Sequence, residues 1–187
     1  MLSQIFDLDS FKVLSLFSLS LGSRFKRNEI KQRTRLNNVP LDKCLLRLLS
    51  AGILIREENL YEVNFGGEYA KQIIKLCGDD YKKLKELPFD VYLLLLDLVG
   101  SLSTIKGIDA YLFGSYSKLV YHEKSDVDIA ILTREKFDKN FVHRVIKKLE
   151  KKYKKSIEVH FFLKKSFYKN KKDLLVKDII RNGVRLI

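Results

Sequence analysis

The chain has little of what builds cross-links or metal clusters: two cysteines, Cys44 and Cys77, and three histidines in 187 residues. Both cysteines lie in helix-like stretches without CxxC or Cys/His spacing, which argues against a disulfide framework or a zinc site and leaves them as packing residues. His122 and His143 share no ligand spacing with each other or with His160 and read as ordinary surface or packing residues. Long apolar runs are also missing. The longest, 11–21 and 91–99, are too short to span a bilayer, and the first contains Lys12. Asp7 and Asp9 precede the first run where a signal peptide would carry a basic start, so a cytoplasmic protein with no membrane partner is expected. There is no internal repeat, and lysine-rich patches are the sole low-complexity feature.

What is present is a folding composition, 46% hydrophobic and 32% charged, at a length that suits two compact units of unequal size. The charge is uneven. Residues 134–187 hold 18 Lys/Arg against 6 Asp/Glu, so +12 of the net +13 lies there. Such a field suits a polyanion, a nucleoside triphosphate or an acidic protein surface. The alternative is that Lys147, Lys148, Lys151, Lys152, Lys154 and Lys155 solvate one helix face.

The apolar density of 11–21, stopped by Gly22, predicts a first helix. Asn28 is placed to cap a second over 29–36, and Asn37 and Asn38 make a turn before Pro40 opens a third. Leu41, Leu45, Leu48 and Leu49 form its buried stripe, with Gly52 ending it. Strand-like runs at 53–56 and 60–64 flank the polar turn Glu57, Glu58, Asn59. Three helices and a hairpin over about 8–65 resemble the winged helix-turn-helix family. That resemblance implies DNA contacts from Lys43 and Arg47 on the third helix, with Arg33 and Arg35 among the phosphate-binding cations. The third helix offers few basic or amide side chains and the wing is acidic, so a protein-interaction or homodimerisation role stands beside DNA binding.

Gly66 and Gly67 break the chain, and helical patterns at 68–76, 81–87 and 89–103 form a connector over 66–104, whose run VYLLLLDLV is expected to be buried. The pattern then alternates: strands at 108–113 and 127–132, a helix at 135–153, a strand at 157–163 and a helix at 172–181. The expected division is 1–65, 66–104 and 105–187.

The stretch LFGSYSKLVYHEKSDVDIAIL, residues 112–132, carries the chemistry. Alternation along a strand points Asp126 and Asp128 to one side while Val127, Ile129 and Ile131 enter a core. Neighbouring carboxylates raise each other's pKa unless a cation lies between them, and hard oxygen donors suit Mg²⁺. Gly114 lets backbone approach a ligand closely, and Ser115 adds a hydroxyl beside amides suited to phosphate.

Gly-Ser, a spacer and Asp-x-Asp opening a hydrophobic strand resemble the catalytic signature of the DNA polymerase beta-like nucleotidyltransferase superfamily, most of all its minimal bacterial and archaeal members, over 105–187. The resemblance implies an α+β chain: a winged-helix-like module followed by a mixed sheet with flanking helices. It implies Mg²⁺-dependent transfer of a nucleoside monophosphate such as AMP from a triphosphate to an acceptor hydroxyl on a protein, a partner toxin or a small molecule, with two metal ions. Asp126, Asp128 and a third carboxylate, Glu158, would be catalytic and metal-binding, while Gly114, Ser115 and Lys118 would hold the nucleotide. Glu158 would be ligand, general base or both, with His160 beside it at i+2. Two departures stand out: Leu119 lies near a common family glycine, and glutamate replaces the more usual third aspartate. The alternative function is a DNA-binding regulator or antitoxin-like protein with an inactive or nucleotide-sensing transferase fold.

Overall fold

The computed structural model describes residues 7–84, 87–134 and 137–187. The chain divides into two compact units, one ending at Lys83 and the other running from Leu84 to Ile187.

In the first unit, α1 (Leu8–Leu19) starts on Asp7, whose carboxylate accepts the Ser10 N–H at 3.0 Å. Then follow β1 (Phe25–Lys26), α2 (Arg27–Thr34), α3 (Asn38–Ser50), β2 (Leu54–Glu57), β3 (Leu60–Val63) and α4 (Ala70–Lys83). The three strands form an antiparallel sheet in the order β1-β3-β2. The expected hairpin is present, but β1 was not expected, because two residues are too few to show alternation.

Two other expectations need correction. Helix α2 begins ahead of Asn28: Lys26 is its cap, and its N–H donates to the Glu29 carboxylate at 2.6 Å, leaving Asn28 within the first turn. The break expected inside 68–87 does not occur at Gly78, which lies within α4. A Cβ there would meet Ser18 at 3.6 Å, an ordinary van der Waals contact, so neither a turn nor the packing of α1 on α4 demands glycine at this position. Residues 85–86 of that expected helix lie outside the described residues.

The second unit opens with α5 (Phe89–Leu102), in which Val91 to Leu96 are all buried, as the apolar run predicted. A four-stranded mixed sheet follows in the order β6-β5-β4-β7. Strand β4 (Ile108–Phe113) leads into the short α6 (Gly114–Lys118), and β5 (Val127–Thr133) returns antiparallel to β4. Helix α7 (Lys139–Tyr153) crosses over to β6 (Ile157–Leu163), parallel to β5. Its expected start at Glu135 lies outside the described residues. Asp138 caps the observed start by accepting the Asn140 N–H at 2.8 Å.

After β6 come α8 (Lys164–Lys169), α9 (Leu174–Asn182) and the short β7 (Val184–Arg185), which pairs with the free side of β4. Neither α8 nor β7 was expected: six lysine-rich residues and a two-residue strand carry no periodic signal. Phe113, Ala130, Leu132, Phe167, Val176 and Ile179 form the core between one sheet face and α8 and α9. The segment 66–104 is thus divided, with α4 in the first unit and α5 in the second.

Helix α5 packs on α7. Asp97 of α5 accepts from Tyr153 Oη at 2.5 Å and pairs with Lys152 Nζ at 2.9 Å, while Tyr153 Oη also reaches the Leu93 carbonyl at 3.2 Å. Removing the charge from a half-buried, hydrogen-bonded carboxylate strands its partners. Asp97→Asn is expected to lower unfolding stability by about 1–3 kcal/mol, read by urea denaturation of the full chain.

The cysteines pack as expected. Burial pushes the Cys77 thiol up to about 12 and the Cys44 thiol up to about 11, so neither supplies thiolate near neutral pH. A disulfide reagent should leave both unmodified in the native chain and label both after unfolding; rapid native labelling would contradict this packing.

Candidate active site

The candidate site is assembled where β4 ends and β5 begins. Antiparallel register sets Phe113 opposite Asp128, and parallel register sets Asp128 beside Glu158. One carboxylate thus lies on the middle strand, half-buried, with another on the next strand and Asp126, two residues earlier, exposed at the strand's mouth.

Gly114 sits directly over Asp128. Its φ is +69°, and a Cβ there would lie 1.9 Å from Asp128 Oδ2 and 2.7 Å from Cγ. Both the backbone conformation and the space demand glycine. The backbone N–H of Ser115 donates to the Asp128 carboxylate. The turn from β4 into α6 is therefore closed around the Asp128 carboxylate.

Burial, then the negative charge of Glu158 and of Asp126, push the Asp128 carboxyl above its ordinary range. His160 and the Ser115 N–H act the other way. His160 Nε2 lies 3.0 Å from Glu158 Oε1, and its ring meets Phe113 edge-on at 5.5 Å and stacks near Phe162 at 6.5 Å. The i, i+2 relation thus places the imidazole on the third carboxylate.

Lys118 is placed otherwise than a phosphate-facing role suggests: its Nζ is 2.7 Å from Asp178 of α9, which also accepts from Asn182 at 2.8 Å. Asp178, missed in the sequence, ties α6 to α9. Also missed was Lys155, whose Nζ donates to the Glu123 carbonyl at 2.6 Å and to Tyr116 Oη at 3.1 Å. The Tyr116 ring stacks on Tyr121 at 4.5 Å, and Val127 N–H donates to the Ser156 carbonyl at 2.9 Å. The spacer between Gly-Ser and Asp-x-Asp is therefore held from the far end of α7. Leu119, near a common family glycine, has φ +60°, the left-handed conformation that glycine adopts most cheaply.

Among the described residues, no three His, Cys, Asp or Glu side chains are drawn together as a ready-made metal cage. The donor set nevertheless fits Mg²⁺, which is usually held by one or two carboxylates, with phosphate and water completing its shell. Burial does most to raise the Asp128 carboxyl, and Glu158 and Asp126 add negative charge that a cation would relieve.

The residues expected to contact DNA are scattered in role. Arg33 lies over the Phe25 ring at 5.3 Å, Arg35 takes the left-handed position ending α2, Lys43 is exposed on α3, and Arg47 Nη1 is 2.9 Å from Asp7. Arg27 is 2.6 Å from Asp42, and Arg24 is 2.7 Å from Glu62 and pairs with Glu57 as well.

Two glycines separate backbone strain from crowding. Gly107 has φ +78° with nothing within 4 Å of a Cβ, whereas Gly114 would meet Asp128. Gly107→Ala should cost about 1–2 kcal/mol. Gly114→Ala should cost roughly 2–5 kcal/mol, the excess arising from the displaced carboxylate. Equal losses in thermal melts of the two variants would show that Gly114 does not sit on Asp128.

No curated protein matches the chain. Among solved structures, it is similar to a toxin-antitoxin crystallised with AMP-PNP, at 23% identity over 50% of this chain and 72% of that one, with a TM-score of 0.39. A mutant of the toxin-antitoxin MntA-HpeT gives 23% identity, the same coverages and a TM-score of 0.37. The nucleotidyltransferase domain family matches residues 95–186, spanning Gly114, Ser115, Asp126, Asp128 and Glu158. Through that segment, from α5 to β7, the chain belongs to the nucleotidyltransferase domain family.

Proposed function

We propose that the second unit transfers a nucleoside monophosphate, AMP in the first instance, from a triphosphate to a hydroxyl on a protein, including a partner toxin, or on a small molecule, with Mg²⁺ bound. The observation that carries this reading is the seat of Asp128: glycine overhead, an amide donor at its side and two carboxylates as neighbours. Such a seat serves no packing purpose that an apolar residue would not serve better.

Asp126, Asp128 and Glu158 would hold the metal. Bound Mg²⁺ supplies positive charge to the attacking and leaving oxygens of an in-line displacement. The chain's own residues do the rest. The absent side chain at Gly114 lets Asp128 sit directly beneath the turn, and the Gly114–Ser115 backbone with the Ser115 hydroxyl would receive the triphosphate beside it. Glu158 takes up the proton of the attacking hydroxyl or joins the metal's ligands, with its carboxylate steadied by His160. Phe113, packed edge-on against His160, keeps that imidazole in place.

The alternative, a DNA-binding regulator built on a winged helix, leans on the first unit. There Arg24, Arg27 and, of the residues expected to contact DNA, Arg47 are held in ion pairs, while Lys43 is exposed on α3 and Arg33 lies over the Phe25 ring.

Incubated with Mg²⁺, labelled nucleoside triphosphates and lysate of its native host, the chain is expected to label an acceptor. Glu158→Gln should slow transfer by about 10²–10⁴-fold while changing nucleotide affinity little, since a base acts mainly in the transition state. Wild-type rates from this variant would unseat Glu158. Triphosphate binding without transfer to any acceptor would replace the enzyme by the regulator.

Asp128 offers a second check. A carboxyl held above its unfolded value destabilises the native state as pH rises through that range and stops doing so below it. In metal-free buffer, Asp128→Asn should therefore melt higher than wild type at neutral pH. That gain should vanish as the solution becomes acid, while transfer is lost throughout. A lower melting temperature at neutral pH would contradict the crowded-carboxylate geometry.

A further inference from the structure

Helix α7 turns Val142, Ile146, Leu149 and Tyr153 inward. Its opposite face carries Arg144, Lys147, Lys148 and Lys151 at i, i+3, i+4 and i+7, all exposed and on one stripe. None of the four forms an ion pair with a described residue. Four other cations of this unit are neutralised locally, Lys118 by Asp178, Lys152 by Asp97, and Lys164 and Arg185 by Asp109, while exposed lysines such as Lys165, Lys169 and Lys172 lie off α7 and outside its regular i, i+3, i+4, i+7 stripe. The helix's one acidic side chain, Glu150, is turned to accept the Ile157 N–H at 3.0 Å.

We propose that this stripe binds the phosphate backbone of a nucleic acid, and that the binding surface for polyanions lies on the transferase unit instead of on the winged-helix-like one. Four cations over about 10 Å of helix call for a partner of similar linear charge, and a nucleic-acid strand supplies a phosphate every ~3.4 Å of its axis. A protein partner is poorly served, because specific protein interfaces are built around an apolar centre and α7 exposes no large hydrophobic side chain. Beyond the end of α7, Lys155 donates to the Glu123 carbonyl and to Tyr116 Oη, which ties the segment after the helix to the loop ahead of Asp126. Backbone contacts of this kind read no sequence. The proposal concerns binding alone and stands whether or not nucleotidyl transfer is found.

The test compares two variants of the full chain with equal charge loss: Lys147→Gln/Lys148→Gln on the stripe, and Lys71→Gln/Lys75→Gln on exposed positions of α4. Each is titrated by fluorescence anisotropy against a short labelled single-stranded RNA and a short labelled DNA duplex over a series of salt concentrations, after thermal melts confirm wild-type stability. On RNA, the stripe variant should flatten the plot of log affinity against log salt by about 0.7 per lysine, near 1.4 in all. The α4 variant should match wild type. The RNA and DNA arms identify which nucleic acid is held more tightly. Equal losses in both variants would reduce the effect to net charge and overturn the proposal. Displacement of the strand by poly-glutamate at equal charge concentration would overturn it in favour of an acidic protein partner.

Discussion

The second unit is organised around one constraint: a carboxylate must sit directly beneath a chain reversal. Asp128 fills the space where any side chain at Gly114 would go, and the Ser115 amide turns toward it. This fixes how β4 can end, how α6 can begin and which residue of β5 lies opposite Phe113. The crossover through α7 then brings Glu158 alongside in parallel register. Around it, the ties from Lys118 to α9 and from Lys155 to the spacer loop stabilise the same few atoms from two directions. The cost is mutual repulsion among carboxylates, an expense in folding stability that functional sites commonly carry.

Much of this was legible in the residues. Strand β4 begins and ends where alternation placed it, and β6 likewise, because both combine apolar faces with clear flanking breaks. The Gly-Ser and Asp-x-Asp elements fall where β4 ends and β5 begins, and Glu158 aligns with Asp128 on the neighbouring strand, the position that the family resemblance implied. What escaped was of two kinds. Short elements such as β1, α8 and β7 draw their order from partners distant in the chain, so no local period announces them. Ionic ties such as Lys118 to Asp178 join residues sixty positions apart, and among so many lysines nothing marks the ones that matter. The gap expected between the helical patterns at 68–76 and 81–87 is bridged by α4, because a single glycine within a helix lowers its propensity without ending it.

The two units also treat positive charge in opposite ways. In the first, Arg24, Arg27 and Arg47 each face a carboxylate, which spends their charge within the fold and stiffens the hairpin and the helix termini. In the second, the acidic groups are drawn inward to the site or to structural ties, and α7 is left with an uncompensated face. The strongly basic balance of the chain is therefore a property of its last third, residues 134–187, to which α7 contributes one continuous exposed stripe.

Helix α5 has a practical consequence for isolating the catalytic half. The recognisable motifs begin only at β4, which invites a fragment starting at Gly107. Such a fragment would discard Asp97 and the Leu93 carbonyl, leaving Tyr153 and Lys152 without these acceptors. It would also uncover the apolar side of α7 that α5 packs against. A newly exposed greasy helix face on a lysine-rich fragment invites self-association and precipitation with cellular nucleic acid. A soluble fragment therefore has to start ahead of Phe89, so that the helix covering α7 travels with the sheet.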